Sequence, residues 1–534
     1  MKLTRIKVEN YRRLEDVEIA VRQHLVLVGA NDVGKSSLLR AVDLVLGAST
    51  AQLYSSLSAA DFRDPTQELR FEVELVDFRP DEKALFADEI FVDPVSAQRS
   101  LTIQLAATVD ESESLSIART GPHAGTGRQL SRDQIAGLGW KFLSATAQSR
   151  DLRDGRRTAL DDLLRAVQLG DEQTGFDSIS TSFQNALNAS ETLGDLRKQL
   201  AGQLSKALPE KVRKKDLSFV SGAAADNDVL SDVRLRVSKG GVEHELSEQS
   251  DGTRALYAIA LYDLMSAGAN VVGIDEPEIH LHPTSQRSLA RLLRTSDNQK
   301  VLATHSSDIV GAFDADNIVV VRPGGQIVQP TEGFLEADER TFVKWWVRDK
   351  LEPLSASKVV TVEGLSDRIV LERVADLTNR NLDRLGVSVI ETDGASEILP
   401  IIKLFGSTGF ALEVFWLIDE DAEVKVAEAL GVEVESLPAH HVFTSIRDLE
   451  DEYVTALGPK AVFDALVAGK LFSKNELANC SPSGVSGEFL QGDVAGFCRV
   501  NKRKVRAALS VLPILTKDNA SSLKSVEALL HEIV

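Results

Sequence analysis

Lys35 and Ser36 close the run GANDVGKS, whose residue types and spacing suit a polyphosphate. Gly29 and Gly34 let backbone N–H groups approach phosphate oxygens, the Lys35 ammonium offsets β/γ charge, and the Ser36 hydroxyl can ligate Mg²⁺. Much later in the chain, IDEPEIHLHP sets Asp275 beside Glu276. At a strand end the first carboxylate is placed to hold the water shell of Mg²⁺, and the second, facing the other way, to take a proton from an attacking water. His305, in VLATHSSD, follows a further apolar run and could sense a γ-phosphate. A separate acidic set lies in the second half: Glu363 after KVVTV, and Asp419 and Asp421 after EVFWLI. In extended chain the two aspartates, two apart, face one side and can share a cation.

These residues need strand tips to hold them. Leu25 to Val28 reads as a short buried strand ahead of a helix that opens near Lys35. Alternation over Leu3 to Glu9, Leu14 to Val21, Glu68 to Val76 and Ser100 to Ala107 predicts an antiparallel subsheet beside it. From about Arg132 to Lys215 the periods turn helical and predict an inserted arm, whose Lys211, Arg213, Lys214 and Lys215 read as solvated surface ahead of a DNA track. Val233 to Val237 and Val242 to Leu246 predict a hairpin, and Ser247, Ser250, Asp251, Gly252 and Thr253 a capped helix start that is another ready anion site. Strands at Val271, Val301, Lys358, Val387 and Glu413 alternate with helices. For the second half this predicts a small parallel sheet whose carboxyl ends gather Glu363, Glu391, Asp393, Asp419 and Asp421. There Ser366 is positioned to cap the helix that carries Asp367.

Composition narrows what such sites can belong to. The chain has 534 residues, 43% of them hydrophobic, enough for two to four cored domains. A net charge of −20 argues against a generally basic nucleic-acid coat but leaves room for local basic patches. Cys480 and Cys498 alone cannot build a disulfide framework or a cysteine-rich zinc site, which fits a reducing cytoplasm. No apolar run approaches the ~18 residues of a membrane span, and the first twenty positions lack a signal-peptide core, so no membrane association is expected.

Taken in order, GANDVGKS, LSEQSDGTRAL, IDEPEIHLHP and ATHS resemble the motifs of ABC-type ATPases of the SMC/RecF-like group. The resemblance spans roughly residues 1 to 335 and is nearest to the OLD (overcoming lysogenization defect) nuclease family. It implies that Gly29, Asn31, Gly34, Lys35, Ser36 and Ser37 are the Walker A contacts to ATP, that Asp275 and Glu276 are the Walker B pair, and that His305 is the switch histidine. It also implies that Ser250 and Gly252 are the signature segment, which in that family completes the site of another protomer, hence a homodimer or higher oligomer. The form SDG replaces the commoner SGG here, and an Asp near a γ-phosphate is electrostatically awkward.

In the second half VEG followed by DED is similar to a TOPRIM domain, and a TOPRIM behind this ATPase is the layout of the OLD family, Gabija-type nucleases included. By that resemblance Glu363, Asp419 and Asp421 are metal ligands, joined by Asp367 and, in SIRDLEDEY, by Asp448 and Glu450. The last two read equally as an ordinary capped helix start. Either Lys502 or Lys504 of NKRKVRAAL is the catalytic lysine.

The expected fold is therefore α/β: an ABC-type P-loop ATPase over 1–340 with a helical dimerisation arm at about 132–215, a linker at 341–355, and a TOPRIM domain with a small parallel sheet and a helical extension over 356–534. So many carboxylates at one sheet edge require Mg²⁺ or Mn²⁺ among them. The expected activity is ATP-regulated, metal-dependent cleavage of DNA, in anti-phage defence and with a helicase-like or other defence partner. The competing expectation is an ATP-dependent DNA-binding or sensing protein whose TOPRIM grips without cutting. A topoisomerase or primase would need a tyrosine nucleophile with DNA-gripping domains, or a zinc-binding domain, and neither is legible.

Overall fold

The computed structural model describes residues 1–110, 114–123, 127–143, 182–221, 233–239, 242–245, 250, 252–253, 256, 268–279, 281–336, 339, 352–392 and 397–534. They fall into two compact units, one built on Met1–Ile327 and the other on Val328–Trp346 with Lys350–Val534. Asp251, Ser247, His280 and Asp393, and the arm between 144 and 181, lie outside the described residues.

In the first unit β1 (Lys2–Glu9), β2 (Val17–Ala20), β4 (Leu69–Val76), β5 (Phe91–Val92), β6 (Arg99–Val109) and β7 (Leu115–Thr120) form an antiparallel sheet in which β1 lies between β2 and β4. One face is apolar: Leu3, Ile6, Val8, Phe71, Val73, Leu101 and Ile103 are buried, while the residues between them are largely half-buried. That is the period-two pattern of a sheet covered on one side. The second sheet orders β15 (Ile327–Val328), β14 (Ile318–Val321), β3 (Leu25–Val28), β13 (Gln299–Ala303), β12 (Val271–Asp275) and β8 (Trp140–Leu143). From β14 to β8 every pairing is parallel. All residues of β3, β12, β13 and β14 are buried, as strands covered on both faces must be. Each buried Val, Leu or Ile contributes about 1.5–3 kcal/mol.

Trp140–Leu143 corrects the reading of an arm that is helical from Arg132. WKFL is a parallel edge strand whose Trp140 donates to Asp43 Oδ1 at 2.9 Å, so side-chain packing outweighs the polar helical periods around it. Within the stretch read as the arm, the helix Glu191–Ala207 and residues 182–189 are helical. The hairpin of β10 (Val233–Lys239) and β11 (Val242–Glu245) is present, with β9 (Leu217–Ser221) on its other edge.

In the second unit β16 (Lys358–Val362), β17 (Val387–Glu391), β18 (Glu413–Asp419) and β19 (Val442–Ser445) form an all-parallel sheet ordered β17, β16, β18, β19. Val360, Val362, Phe415 and Leu417 join the helices behind it in one apolar core. Because the strands run in one direction, the tips that carry Glu363, Glu391 and Asp419 lie along a single edge. Among the described residues no helix is long and apolar enough to cross a membrane.

Candidate nucleotide and metal sites

The first site forms where β3 turns into the helix Lys35–Leu46. Gly34, the residue before that helix, sits at φ 119° with no side-chain cap, and a Cβ on Gly29 would stand 2.1 Å from the Val321 carbonyl oxygen. The loop therefore needs glycine at both positions. Lys35 is only 4% exposed. Its ammonium donates to the carbonyls of Gly29 (2.9 Å) and Ala30 (2.8 Å) and lies 2.9 Å from His305 Nε2. Burial lowers the Lys35 pKa, and burial followed by the Lys35 charge lowers that of His305. A neutral imidazole accepting from Lys35 satisfies both shifts.

Ser36 Oγ donates to Asp275 Oδ1 at 3.0 Å, and burial raises the Asp275 pKa. Glu276 adopts a left-handed φ of 47°, anchored by its N–H to the Ala303 carbonyl, and its carboxylate lies 3.5 Å from His305 Nε2. A strained non-glycine conformation costs about 1–3 kcal/mol and persists where the surroundings over-determine it. The cleft in front measures ≈ 1270 Å³ and is lined by Asn31, Gly34, Lys35, Ser36, Ser37 and Glu276, among others. A buried ammonium whose hydrogen-bond partners among the described residues are neutral, in a loop that tolerates no Cβ, fits a polyphosphate.

Arg12, Arg13 and Arg63 also line this cleft and escape the sequence reading. Arg12 and Arg13 form a basic pair directly after Tyr11, which is bridged to Phe62 beside Arg63. Arg12 is held by Asp61 at 2.7 Å and lies over the Tyr11 ring. Ser250 is exposed and its Oγ accepts from the Thr253 N–H at 3.3 Å, so it caps the helix start. Neither Ser250 nor Gly252 is among the described residues lining the cleft.

At the second site one carboxylate oxygen from each of Glu363, Asp419 and Asp421 lies within 4.8 Å of the others. Strand alternation does not bring them together. β18 ends at Asp419, and Asp421 sits in the 3₁₀ turn Glu420–Ala422, so the chain turns its second carboxylate in. Glu363 Oε1 accepts from the Asp419 N–H (3.0 Å), and Asp419 Oδ1 accepts from the Leu449 N–H (3.2 Å). Ser366 is not the cap expected of it. The helix Leu365–Leu377 begins one residue earlier, and Asp367 reaches back to accept from the Gly364 N–H at 2.9 Å.

Lys504 Nζ stands 3.5 Å from Asp419 and 3.6 Å from Glu450, while Lys502 is exposed on the same helix. Residues two apart on a helix cannot share a face, so only one lysine can enter. Asp448 behaves as the capped helix start: it accepts from the Asp451 N–H at 2.8 Å and pairs with Arg499 Nε at 2.8 Å. Glu450, in contrast, is buried toward the site. Burial, countered by Lys504, pushes Asp367 up to about 6, Glu450 up to about 7 and, with Glu363 adding repulsion, Asp419 up to about 8. Among the described residues, the buried Asp367 Oδ1 and Glu450 Oε2 have no hydrogen-bond partner. An all-oxygen donor set with orphaned lone pairs and frustrated charges fits hard divalent cations. Glu391 stands apart from the trio, paired with Arg368 at 3.6 Å.

Both halves of the chain match known families. Residues 25–311, more than half of the chain, match the family described as "AAA domain, putative AbiEii toxin, Type IV TA system". Residues 354–421 match "Overcoming lysogenization defect protein-like, TOPRIM domain". The chain is 24% identical over 463 residues to the OLD nuclease of Thermus scotoductus, covering 79% of this chain and 84% of that protein. It is 21% identical over 432 residues to endonuclease GajA of Bacillus cereus, covering 74% and 71%. It is also 21% identical over 458 residues to the Old nuclease of Escherichia phage P2, covering 78% and 76%. An AAA-type ATPase domain that uses a nucleotide, followed by an OLD-like TOPRIM that uses a divalent metal, makes this chain a member of that AAA-domain family and an OLD-family nuclease.

Proposed function

We propose that the protein is an ATP-binding and ATP-hydrolysing DNA endonuclease that cuts phosphodiester bonds with Mg²⁺ or Mn²⁺, in the cytoplasm and in anti-phage defence. The observation that carries the reading is the convergence of Glu363, Asp419 and Asp421 oxygens within 4.8 Å, with Lys504 3.5 Å from Asp419. Divalent ions held by this set supply water activation and charge at the leaving oxygen. Glu363, Asp419 and Asp421 would hold the metal, and Asp367 and Glu450 could add oxygens that have no hydrogen-bond partner among the described residues. Asp448 acts through its helix cap and through Arg499. Lys504 offsets phosphate charge that builds up during cleavage, and Lys502 stays outside.

In the ATPase unit Lys35 and the glycine loop bind phosphates, and Ser36 with Asp275 holds the metal shell. Glu276 accepts the proton of the attacking water, oriented by its anchored backbone, and His305 reads the γ-phosphate through Lys35 and Glu276. Ser250 and Gly252, which stand outside their own cleft, complete that of a second copy, so the working form is a homodimer or larger. A helicase-like or other defence partner is part of the same reading.

A plasmid-nicking assay across Mg²⁺, Mn²⁺ and nucleotide states tests it. Cleavage that Asp419→Ala abolishes is the expected result. Wild-type protein that never cuts beyond the Asp419→Ala background would make this a DNA-binding or sensing module instead.

A further inference from the structure

The metal cleft of the second unit measures ≈ 530 Å³, and Glu363, Asp367, Asp421, Lys425, Asn501 and Lys504 contribute its charged and amide lining. Most of that charge is already accounted for. Lys504 is held between Asp419 and Glu450. Lys425, on the helix Glu423–Leu430, and Asn501, first residue of the helix Asn501–Val511, are different. Both are exposed, and neither side chain makes a hydrogen bond or ion pair with a described residue. Lys425 follows Asp421 by one turn without closing an ion pair on it. Asn501 precedes Lys504 by one turn, so those two side chains rise from one helix face toward the same cleft.

A DNA strand meeting this cleft presents several phosphates to a lining that carries the carboxylates Glu363, Asp367 and Asp421. Lys504 and bound cations compensate the phosphate being cut, but its neighbours would be repelled unless other donors face them. We propose that Lys425 and Asn501 seat the phosphate next to the scissile one, Lys425 as the counter-charge and Asn501 as an amide donor. They are positioning residues: they hold the backbone in register with the carboxylates and take no part in bond breaking. The inference rests on the nuclease reading and adds to it where the strand is gripped.

The test is fluorescence anisotropy with a labelled DNA duplex in Mg²⁺, using full-length Asp419→Ala protein so that no cleavage intervenes. Adding Lys425→Ala should weaken binding about three- to tenfold and lower the log–log salt slope by about 1. Asn501→Ala should weaken it by about twofold with the slope unchanged, because a neutral donor releases no counterion. Lys425→Arg should bind like the parent, which excludes a folding defect as the cause. In the cleaving protein Lys425→Ala should raise KM for plasmid nicking and leave kcat within about twofold, a split that loss of a uniform binding contact produces. Unchanged affinity and salt slope in the Lys425→Ala protein, or a fall in kcat with KM intact, would overturn the seat. Wild-type protein that grips the duplex but never nicks it would sink the nuclease reading instead, with the salt slope still deciding for or against the seat.

Discussion

The two clefts are built alike and charged oppositely. Each lies where parallel strands end and a helix begins, and each collects residues from distant parts of the chain onto one sheet edge. In the first, a buried ammonium finds carbonyls and a neutral imidazole around it; in the second, buried carboxylates face each other with one lysine between two of them. Parallel-sheet edges supply position only. The sign of the unpaired charge decides what enters: an anionic nucleotide at Lys35, cations at Asp419.

Removing a carboxylate from the second cleft should have the largest effect. Asp419→Ala or Glu363→Ala is expected to cut plasmid nicking by about a thousandfold or more while ATP hydrolysis stays at the wild-type rate. DNA affinity, read by anisotropy, should hold or tighten as negative charge leaves. In the first cleft Glu276→Gln keeps the shape and removes the proton acceptor. Steady-state ATP turnover should fall about a hundredfold or more with nucleotide still bound. Equal turnover would place the base elsewhere.

Lys504→Ala is the matching deletion of the lysine held between Asp419 and Glu450: nicking should fall about a hundredfold, yet Mn²⁺ affinity by isothermal titration should not weaken. Its counterpart Lys35→Ala should lower ATP affinity by roughly ten- to a hundredfold in the same instrument.

The smallest effect is a pH dependence confined to the acidic cleft. Asp367, Glu450 and Asp419 hold protons up to about 6, 7 and 8 when folded, above their unfolded values. Folded protein thus binds more protons than unfolded protein across that window, and stability contributed by these groups is full at low pH and lost as pH rises from about 4 to about 8. Calorimetry in EDTA should show the metal-responsive transition dropping by a few degrees over this range, with Mn²⁺ reversing the drop and releasing protons.

Much of this could be read from residue order because glycine register and unbroken apolar runs are local signals. Gly29 through Ser36 and the fully buried β3 are one such case, and KVVTVEG is another. What could not be read depends on turns or on distant partners. WKFL is too short to announce a strand inside polar surroundings, and only β12 across the sheet makes it one. Asp419 and Asp421 were paired on the premise of extended chain, but a 3₁₀ turn brings them together. Lys502 and Lys504 match one motif equally, and helix phase separates them only once the face of that helix is known. Arg499, which ties down Asp448, lies outside every motif and could be found only through its 2.8 Å contact.

The position of β3 also bears on how the protein is made. Leu25–Val28 leaves the ribosome well before its two sheet neighbours, Gln299–Ala303 and Ile318–Val321. At translation rates of ~5–20 residues per second, the strand waits for tens of seconds as an uncovered apolar edge. During that interval the nucleotide loop has no floor, and nascent chains are open to chaperones, to proteases and to one another. A nuclease whose ATP site closes only after most of its ATPase unit has been synthesised is thereby kept from answering ATP while that unit is still being made.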